Sequence, residues 1–150
     1  MSFAWLDSVT LAEALLQART TLAPEEACCR AAISRAYYAV YNVARTRARE
    51  HEGLQLPAIG DAHQRVIMHY VRGPSPLHRA IGDSVRQLRS VRNRADYDDQ
   101  LDQAVARAGF AVQRARTLMT QLQALTPTAS PPADAGGPAG TADAPQGTEA

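Results

Sequence analysis

The chain has 150 residues, of which 45% are hydrophobic and 5% aromatic, and this composition supports one core of modest size. The formal net charge is +1, and all 16 basic residues are arginines, which suit phosphate recognition, although genomic base composition also explains their excess over lysine. No stretch approaches the roughly 18 apolar residues of a membrane span, and no basic region precedes an apolar run as in a signal peptide, so we expect a cytoplasmic protein.

Apolar residues at helical spacing predict two helices in the first third of the chain. The stripe of the first helix consists of Trp5, Val9, Ala12 and Leu16. Pro24 follows it and opens the second helix, which runs to about Glu50. The stripe of the second helix consists of Ile33, Tyr37, Val40 and Ala44. The adjacent Cys28 and Cys29 fit neither a metal pair nor an obvious intrachain bridge, so we expect them to be buried as small apolar residues.

Three further helices are predicted after a loop. Asp61, with Gln64 three residues later, resembles a capping box and opens the third helix, which Gly73 and Pro74 end. Pro76 opens the fourth, whose inward stripe is Ile81, Val85, Leu88 and Val91. The most regular stripe marks the fifth: Leu101, Val105, Ala108, Val112, Ala115, Met119 and Leu122. No useful length of chain alternates with a period of two, so the sequence predicts an all-α, five-helix up-and-down bundle.

Residues 126–150 differ in composition from the rest of the chain. They contain five prolines and four glycines and no Leu, Ile, Val, Phe, Tyr or Trp. Such a segment cannot bury enough apolar surface to offset the entropy lost on ordering. The sequence therefore predicts a helical domain over residues 1–125 and a disordered tail over residues 126–150.

The densest basic stretch of the chain lies in or just before the fourth helix, at Arg72, Arg79, Arg86, Arg89, Arg92 and Arg94. Arg92 differs from the others because it returns to within roughly 20° of Ile81 and so lies on the apolar stripe. A charge on a packing face is costly unless it is paired or opens onto a cleft or a partner subunit. Arg92 is therefore either a packed residue whose guanidinium binds the last carbonyls of the helix or an acid such as Asp96, or a functional residue.

Two segments carry a resemblance to a known family: the run AISRAYYAVYNVAR, which ends at Arg45, and LRSVRNRADYDD, which spans Leu88–Asp99. Together they resemble the HEPN superfamily, especially a branch of small bacterial proteins with an Arg-x-x-Ala-Asp-Tyr element. The resemblance covers about residues 1–125. It implies a helical bundle that usually dimerises and that acts on RNA in a toxin-antitoxin or antiviral defence setting.

Nuclease members of this superfamily use a motif of Arg, four to six residues, then His. Arg92 and Asn93 match its opening, but Tyr97, Asp98 and Asp99 occupy the three permitted positions of the His. A tyrosine hydroxyl can donate a proton at pH 7 but is a poor base there. The resemblance thus implies a degenerate ribonuclease site, with slow or absent cleavage, at four catalytic positions: Arg92, Asn93, Asp96 and Tyr97.

Five residues near these positions are candidate RNA contacts: Arg35, Tyr38, Arg86, Arg89 and Arg94. For the arginines the alternative is a solvated helix face, and for the cluster Tyr37, Tyr38 and Tyr41 it is a core position with hydroxyls at the rim. His63 either has a cap or surface role or approaches Arg92 from the third helix. The four histidines form no metal triad in the sequence, and neither a metal nor a cofactor is expected.

Three functions remain open from the sequence. The first is an RNA-binding or RNA-cleaving protein, and the second is a degenerate module that acts by protein contact as half of a toxin-antitoxin pair or as a dimerising accessory. The third is a plain helical adaptor whose last helix binds another helix. A cognate nucleotidyltransferase is a possible partner under the family resemblance, and Tyr97 would then be the tyrosine that it modifies.

We predict that deletion of residues 126–150 leaves the melting temperature within about two degrees, because the segment offers no core residue. Thermal denaturation followed by circular dichroism measures this. A loss of many degrees would show that the tail packs on the helices.

We also predict a homodimer, because Arg92 on an apolar stripe and the long seam of the fifth helix both suit burial against a second copy. Light scattering on the purified protein measures the mass. A strictly monomeric mass at tens of micromolar would contradict the prediction and favour an intrachain partner for Arg92.

Overall fold

Five α-helices make up the computed structural model, which describes residues 2–125. They are α1 (Trp5–Gln17), α2 (Glu25–His51), α3 (Ala62–Val71), α4 (Pro76–Tyr97) and α5 (Ala104–Ala124). The predicted all-α bundle of five helices is confirmed, and no strand occurs between residues 2 and 125. The predicted disorder of residues 126–150 lies outside the described residues. None of the five helices is both long enough and apolar enough to cross a membrane.

Side-chain caps fix the start of two helices where the sequence placed them. The Asp61 carboxylate accepts a hydrogen bond from the Gln64 backbone N–H at 3.0 Å and caps α3. Ser75 Oγ accepts one from the His78 N–H at 3.2 Å and caps α4, in which Pro76 is the first residue. Both caps satisfy backbone donors that have no partner inside the helix.

The start of α5 differs from the prediction. The predicted stripe of the fifth helix begins at Leu101, but α5 starts at Ala104, after Gln103 in a left-handed conformation with φ of 55°. Leu101 is nevertheless buried, because the connection that carries it packs onto the core. Leu101 therefore lies in the turn between α4 and α5, although the helical spacing of apolar residues predicted that it belongs to α5.

Helix α2 is the centre of the bundle and contacts each of the other four helices. Its predicted stripe is fully buried at Ile33, Tyr37, Val40 and Ala44. Cys28 and Cys29 are buried free thiols, as their apolar interpretation predicted. A central helix of this length presents side chains to several neighbours at once, and it is the platform on which the site described below is built.

Close backbone contact holds α3 against α4. Gly82 faces the C-terminal end of α3, where a Cβ on Gly82 would lie 2.4 Å from the backbone N of Val71. No side chain fits in that space, so glycine permits the close approach of the two helices. At the other end of α3, the Arg89 guanidinium contacts both carboxylate oxygens of Asp61, at 2.9 and 3.1 Å.

A buried polar network joins α2, α3 and α4 at the opposite end of α2 from Pro24. The Glu52 carboxylate follows α2 and lies 2.6 Å from Arg47 Nη1, 2.6 Å from His69 Nε2 and 2.7 Å from His78 Nε2. Burial by itself would raise the pKa of Glu52, but the hydrogen bonds from His69, His78 and Arg47 lower it to about 2. The folded protein therefore stabilises the charged carboxylate.

We predict that Glu52→Gln lowers the free energy of unfolding at pH 7 by about 3 kcal/mol, the value of the pKa difference between about 2 and 4.5. Because the folded pKa is the lower one, this contribution is present above about pH 4.5 and is lost as the pH falls toward 2. Urea denaturation across that range measures it. The exposed Glu50 offers the matched control, and an equal loss in Glu50→Gln would contradict the prediction.

Candidate functional site

Arg92 is buried against α2, with 8% of its surface exposed. Its Nη1 donates to Asn93 Oδ1 at 2.7 Å, and its Nη2 donates to the hydroxyl of Tyr38. Nε lies 3.0 Å from Asp96 Oδ2 in an ion pair whose angle does not make a hydrogen bond. These four residues and Tyr97 are called the Arg92 cluster below.

Aromatic rings surround the Arg92 guanidinium. Its central carbon lies 4.7 Å from the ring centre of Tyr38, 5.4 Å from that of Tyr37 and 5.8 Å from that of Tyr97. A guanidinium group over an aromatic face is attracted by the ring quadrupole, more strongly where water is excluded. The cation is thus held in one place by two hydrogen bonds, one carboxylate and three rings.

The local sequence explains why the cluster forms at the end of α4. Asp96 follows Arg92 by four residues, so the helical repeat puts the two side chains on one face. Ser34 on α2 lies 3.5 Å from Asp96 Oδ2. Arg30, also on α2, donates to the carbonyls of Ala95 and Asp98 and so satisfies the last turn of α4. Arg30 was not singled out in the sequence: its ion pair with Glu26, four residues earlier, follows from the helical repeat, but its bonds to the α4 carbonyls do not.

His63 lies beside this cluster, in the first turn of α3. Its ring stacks on Tyr41 with centres 3.9 Å apart and planes 10° from parallel, and its Nδ1 lies 2.6 Å from the Tyr37 hydroxyl. Tyr37 and Tyr38, whose rings flank Arg92, are 5.7 and 6.1 Å from the His63 ring. The sequence left two roles open for His63, and the structure places its ring beside Tyr37 and Tyr38, the two tyrosines that also contact Arg92.

Burial and nearby cations control the protonation of this stack, which comprises His63, Tyr37 and Tyr41. Burial lowers the pKa of His63, and the charges of Arg89 and Arg92 lower it further. Burial raises the pKa of Tyr37 and of Tyr41, against the opposing effect of neighbouring arginines. At neutral pH the stack is therefore uncharged, although arginines surround it.

The tyrosines divide between core and surface. Tyr37 and Tyr41 are buried in the core, as one interpretation of the sequence predicted, and their faces are covered by neighbouring side chains. Tyr38 is half-buried. Tyr97 has 74% of its surface exposed, so its ring is the one that a base can reach without displacing a neighbour.

The candidate RNA contacts fall into two groups. Arg35 is exposed with its guanidinium 5.7 Å from the Tyr38 ring, and Arg89 reaches Asp61 beside His63, so both adjoin the cluster. Arg86 instead lies near Asp83 and Met68, and Arg94 pairs with Asp98 at 3.3 Å. The structure therefore brings Arg35, Tyr38 and Arg89 to the Arg92 cluster. Arg86 and Arg94 contact residues outside the cluster.

Positive charge exceeds negative charge around the cluster and the stack. Four arginines surround them: Arg35, Arg45, Arg89 and Arg92. Asp61 and Asp96 neutralise Arg89 and Arg92, whereas Arg35 and Arg45 form no ion pair within the described range 2–125. Arg45, which the sequence did not single out, lies 5.8 Å from the Tyr41 ring. Such a face attracts anions.

Two cavities lie away from the Arg92 cluster. One of about 440 Å³ is lined by residues that include Trp5, Val43 and Leu122, and another of about 510 Å³ lies beside Met68 and Arg72. The Arg92 cluster lines neither. Its exposed edge is an open surface, which suits an extended ligand better than an enclosed small molecule.

Comparison of the chain with family models, with curated proteins and with solved structures finds no match. The residues of the Arg92 cluster and the stack, with their measured geometry, are therefore what a functional proposal has to rest on.

Proposed function

We propose that this protein binds RNA on the face formed by the Arg92 cluster and by Arg35, Arg45 and Arg89. The observation that carries the proposal is the Arg92 guanidinium, held by Tyr38, Asn93 and Asp96 at the edge of a surface with surplus positive charge. Nη1 and Nη2 each carry one further N–H beyond the bonds to Asn93 and Tyr38. A guanidinium held in place can offer these donors to a phosphate with little loss of side-chain entropy on binding.

The same surface also offers groups that can bind the base and the neighbouring phosphates of a nucleotide chain. Tyr97 exposes its ring next to Arg92, and a base can stack on it. Arg35 and Arg45 have no ion pair with a described residue to give up when they meet a backbone phosphate. Stacking on one ring and charge neutralisation along a basic face are the usual means of binding single strands with little sequence preference.

The HEPN resemblance gives this proposal its setting, a toxin-antitoxin or antiviral defence role in the cytoplasm. Tyr97 stands where the nuclease motif has its His, so binding is the activity that the motif residues themselves support. The exposure of Tyr97 also supports its proposed modification by a nucleotidyltransferase partner, since most of the residue's surface is accessible to an enzyme. A charged nucleotide on Tyr97 would block the face that binds RNA.

The proposed homodimer is independent of this site. Arg92 finds its partners within one chain, and α5 packs on α1, α2 and α4 of the same chain. Both features that favoured a second copy are therefore satisfied without one, and dimerisation remains a prediction for light scattering.

We predict that Arg92→Ala weakens binding of a short fluorescent RNA by about 1 to 3 kcal/mol, because a charged hydrogen bond to phosphate is lost. Fluorescence anisotropy at low salt measures it, and affinity of the unaltered protein should fall steeply as salt rises. Circular dichroism checks that the variant folds.

Arg79→Ala is the matched control, since Arg79 is an exposed arginine near the other end of α4. It should leave the affinity unchanged apart from the small effect of one distant charge. Equal losses in Arg79→Ala and Arg92→Ala would contradict a localised site. Absence of binding at low salt would put the protein-contact module first.

A further inference from the structure

We propose that the cavity of about 510 Å³ on the outer face of α3 is a docking site for a partner protein, which inserts an apolar side chain from an acidic segment. The cavity is called the Met68 cavity below, after one of the residues that line it. No residue of the Arg92 cluster lines it, so the inference goes beyond RNA binding and does not depend on it.

One face of α3 supplies much of the lining. Arg65, Met68 and Arg72 follow one another at steps of three and four residues, so the helical repeat puts them on one side of the helix. The other side of α3 is buried in the core at Val66 and Ile67. The side chains of the Met68 cavity are therefore carried by a helix whose position the core determines.

Three apolar side chains line the Met68 cavity. Leu54 belongs to the connection before α3, Met68 to α3 itself and Pro74 to the connection after it. An apolar side chain that enters such a cavity leaves water without displacing a packed neighbour. The side chain of Met68 is unbranched and polarisable, so it adapts to guests of different shape. The lining therefore suits an aliphatic side chain such as that of leucine.

Two arginines without an acidic partner also line the Met68 cavity. Arg65 and Arg72 are exposed, and neither forms an ion pair with another residue of the range 2–125. Glu52 contacts the lining residue His69, but Arg47 lies 2.6 Å from the same carboxylate and offsets its charge. The two exposed guanidinium groups can therefore bind carboxylates of a partner, each through two parallel hydrogen bonds.

Two arginines of α4 extend the positive charge beside the cavity. Arg86 Nη2 lies 3.7 Å from Met68 Sδ, and Arg79 Nη1 donates to the Gly73 carbonyl at 3.4 Å. Asp83 lies 3.9 Å from Arg86, but both side chains are exposed, so this ion pair is weak. Positive charge thus surrounds an apolar cavity, and this pattern is complementary to an acidic segment with an apolar side chain.

The lining favours a partner protein over RNA and over the tail of the same chain. Among the described residues that line the Met68 cavity there is no Phe, Tyr or Trp, so a base would find no aromatic ring to stack on. Residues 126–150 contain three acids but no Leu, Ile, Val, Met, Phe, Tyr or Trp to fill the cavity. An acidic segment with a leucine satisfies both the arginines and the apolar lining.

The test measures binding of two short fluorescein-labelled peptides to the full chain by fluorescence anisotropy. In the first peptide a single Leu stands among Asp and Glu, and in the second Ser replaces the Leu. We expect the Leu peptide to bind about tenfold more tightly, because only its side chain leaves water on binding. Both affinities should fall as salt rises. Equal affinities, or no binding at low salt, would overturn the proposal without the need for any variant.

Arg72→Glu should weaken binding of the Leu peptide about tenfold or more, because it replaces an attraction by a repulsion. Arg107→Glu makes the same change of charge on α5, which does not contact α3, and should alter the affinity less than about twofold. Circular dichroism checks that both variants fold. Equal losses in the two variants would contradict a site at the Met68 cavity.

Met68→Gln tests the apolar lining separately from the arginines. It keeps the length of the side chain but makes the lining polar, so the preference for the Leu peptide over the Ser peptide should disappear while the salt dependence stays. A Met68→Gln protein that still prefers the Leu peptide tenfold would overturn the proposed role of the cavity.

Two results would assign the Met68 cavity to another occupant and so overturn the proposal. The first is a short single-stranded RNA that displaces the Leu peptide and loses affinity in Arg72→Glu. The second is a chain without residues 126–150 that binds the Leu peptide about tenfold more tightly, which would show that the tail competes for the cavity. Arg92→Ala should leave the affinity for the Leu peptide unchanged, and a loss equal to that in Arg72→Glu would contradict two separate sites.

Discussion

A guanidinium group that leaves water must find a carboxylate and hydrogen-bond acceptors inside the protein, and this requirement shapes the whole end of α4. Arg92 meets it with Asn93 and Asp96 from its own helix and with Tyr38 from α2. One helix cannot surround a side chain that lies on its packing face. The position of α2 along α4 is therefore tied to the pairing of a single charge.

The tyrosines of α2 connect Arg92 on α4 to His63 on α3. Tyr37 and Tyr38 are adjacent, so they point about 100° apart, and Tyr41 follows Tyr37 by one helical turn. Tyr37 and Tyr38 contact Arg92 of α4, while Tyr37 and Tyr41 contact His63 of α3. Side chains on packed helices hold a geometry better than side chains on loops. The site therefore needs no preceding rearrangement to present both a cation and an imidazole.

Local patterns predicted the helices because caps and stripes depend on neighbouring residues. Asp61 with Gln64 marked the start of α3, and Pro76 marked the start of α4, and the structure confirms both. The inward position of Arg92 followed from the helical repeat in the same way, and its pairing with Asp96 was one of the alternatives that the sequence left open. Leu101 was assigned to α5 because it fits the stripe, but the reversal at Gln103 depends on how α5 returns to the core.

The remaining parts of the site depend on distances between helices, and the spacing of apolar residues along one helix does not predict these distances. The approach of His63 to Arg92 was one of two options in the sequence, since nothing local determines how α3 crosses α4. Arg86 and Arg94 were grouped with Arg92 by closeness in sequence. Helical geometry rotates Arg94 by about 200° and Arg86 by about 120° from Arg92, and their recorded contacts lie elsewhere.

Gly82 lies away from the site, yet it sets how closely α3 and α4 approach each other. The missing Cβ lets Val71 approach α4 at one end of α3, and Arg89 holds Asp61 at the other, so α3 is clamped at both ends. His63 and Arg92 share this frame. Variation at position 82 would spread the two helices and separate imidazole from guanidinium while every residue of the site stayed the same. The distance between these two groups therefore depends on a residue that lies outside the site.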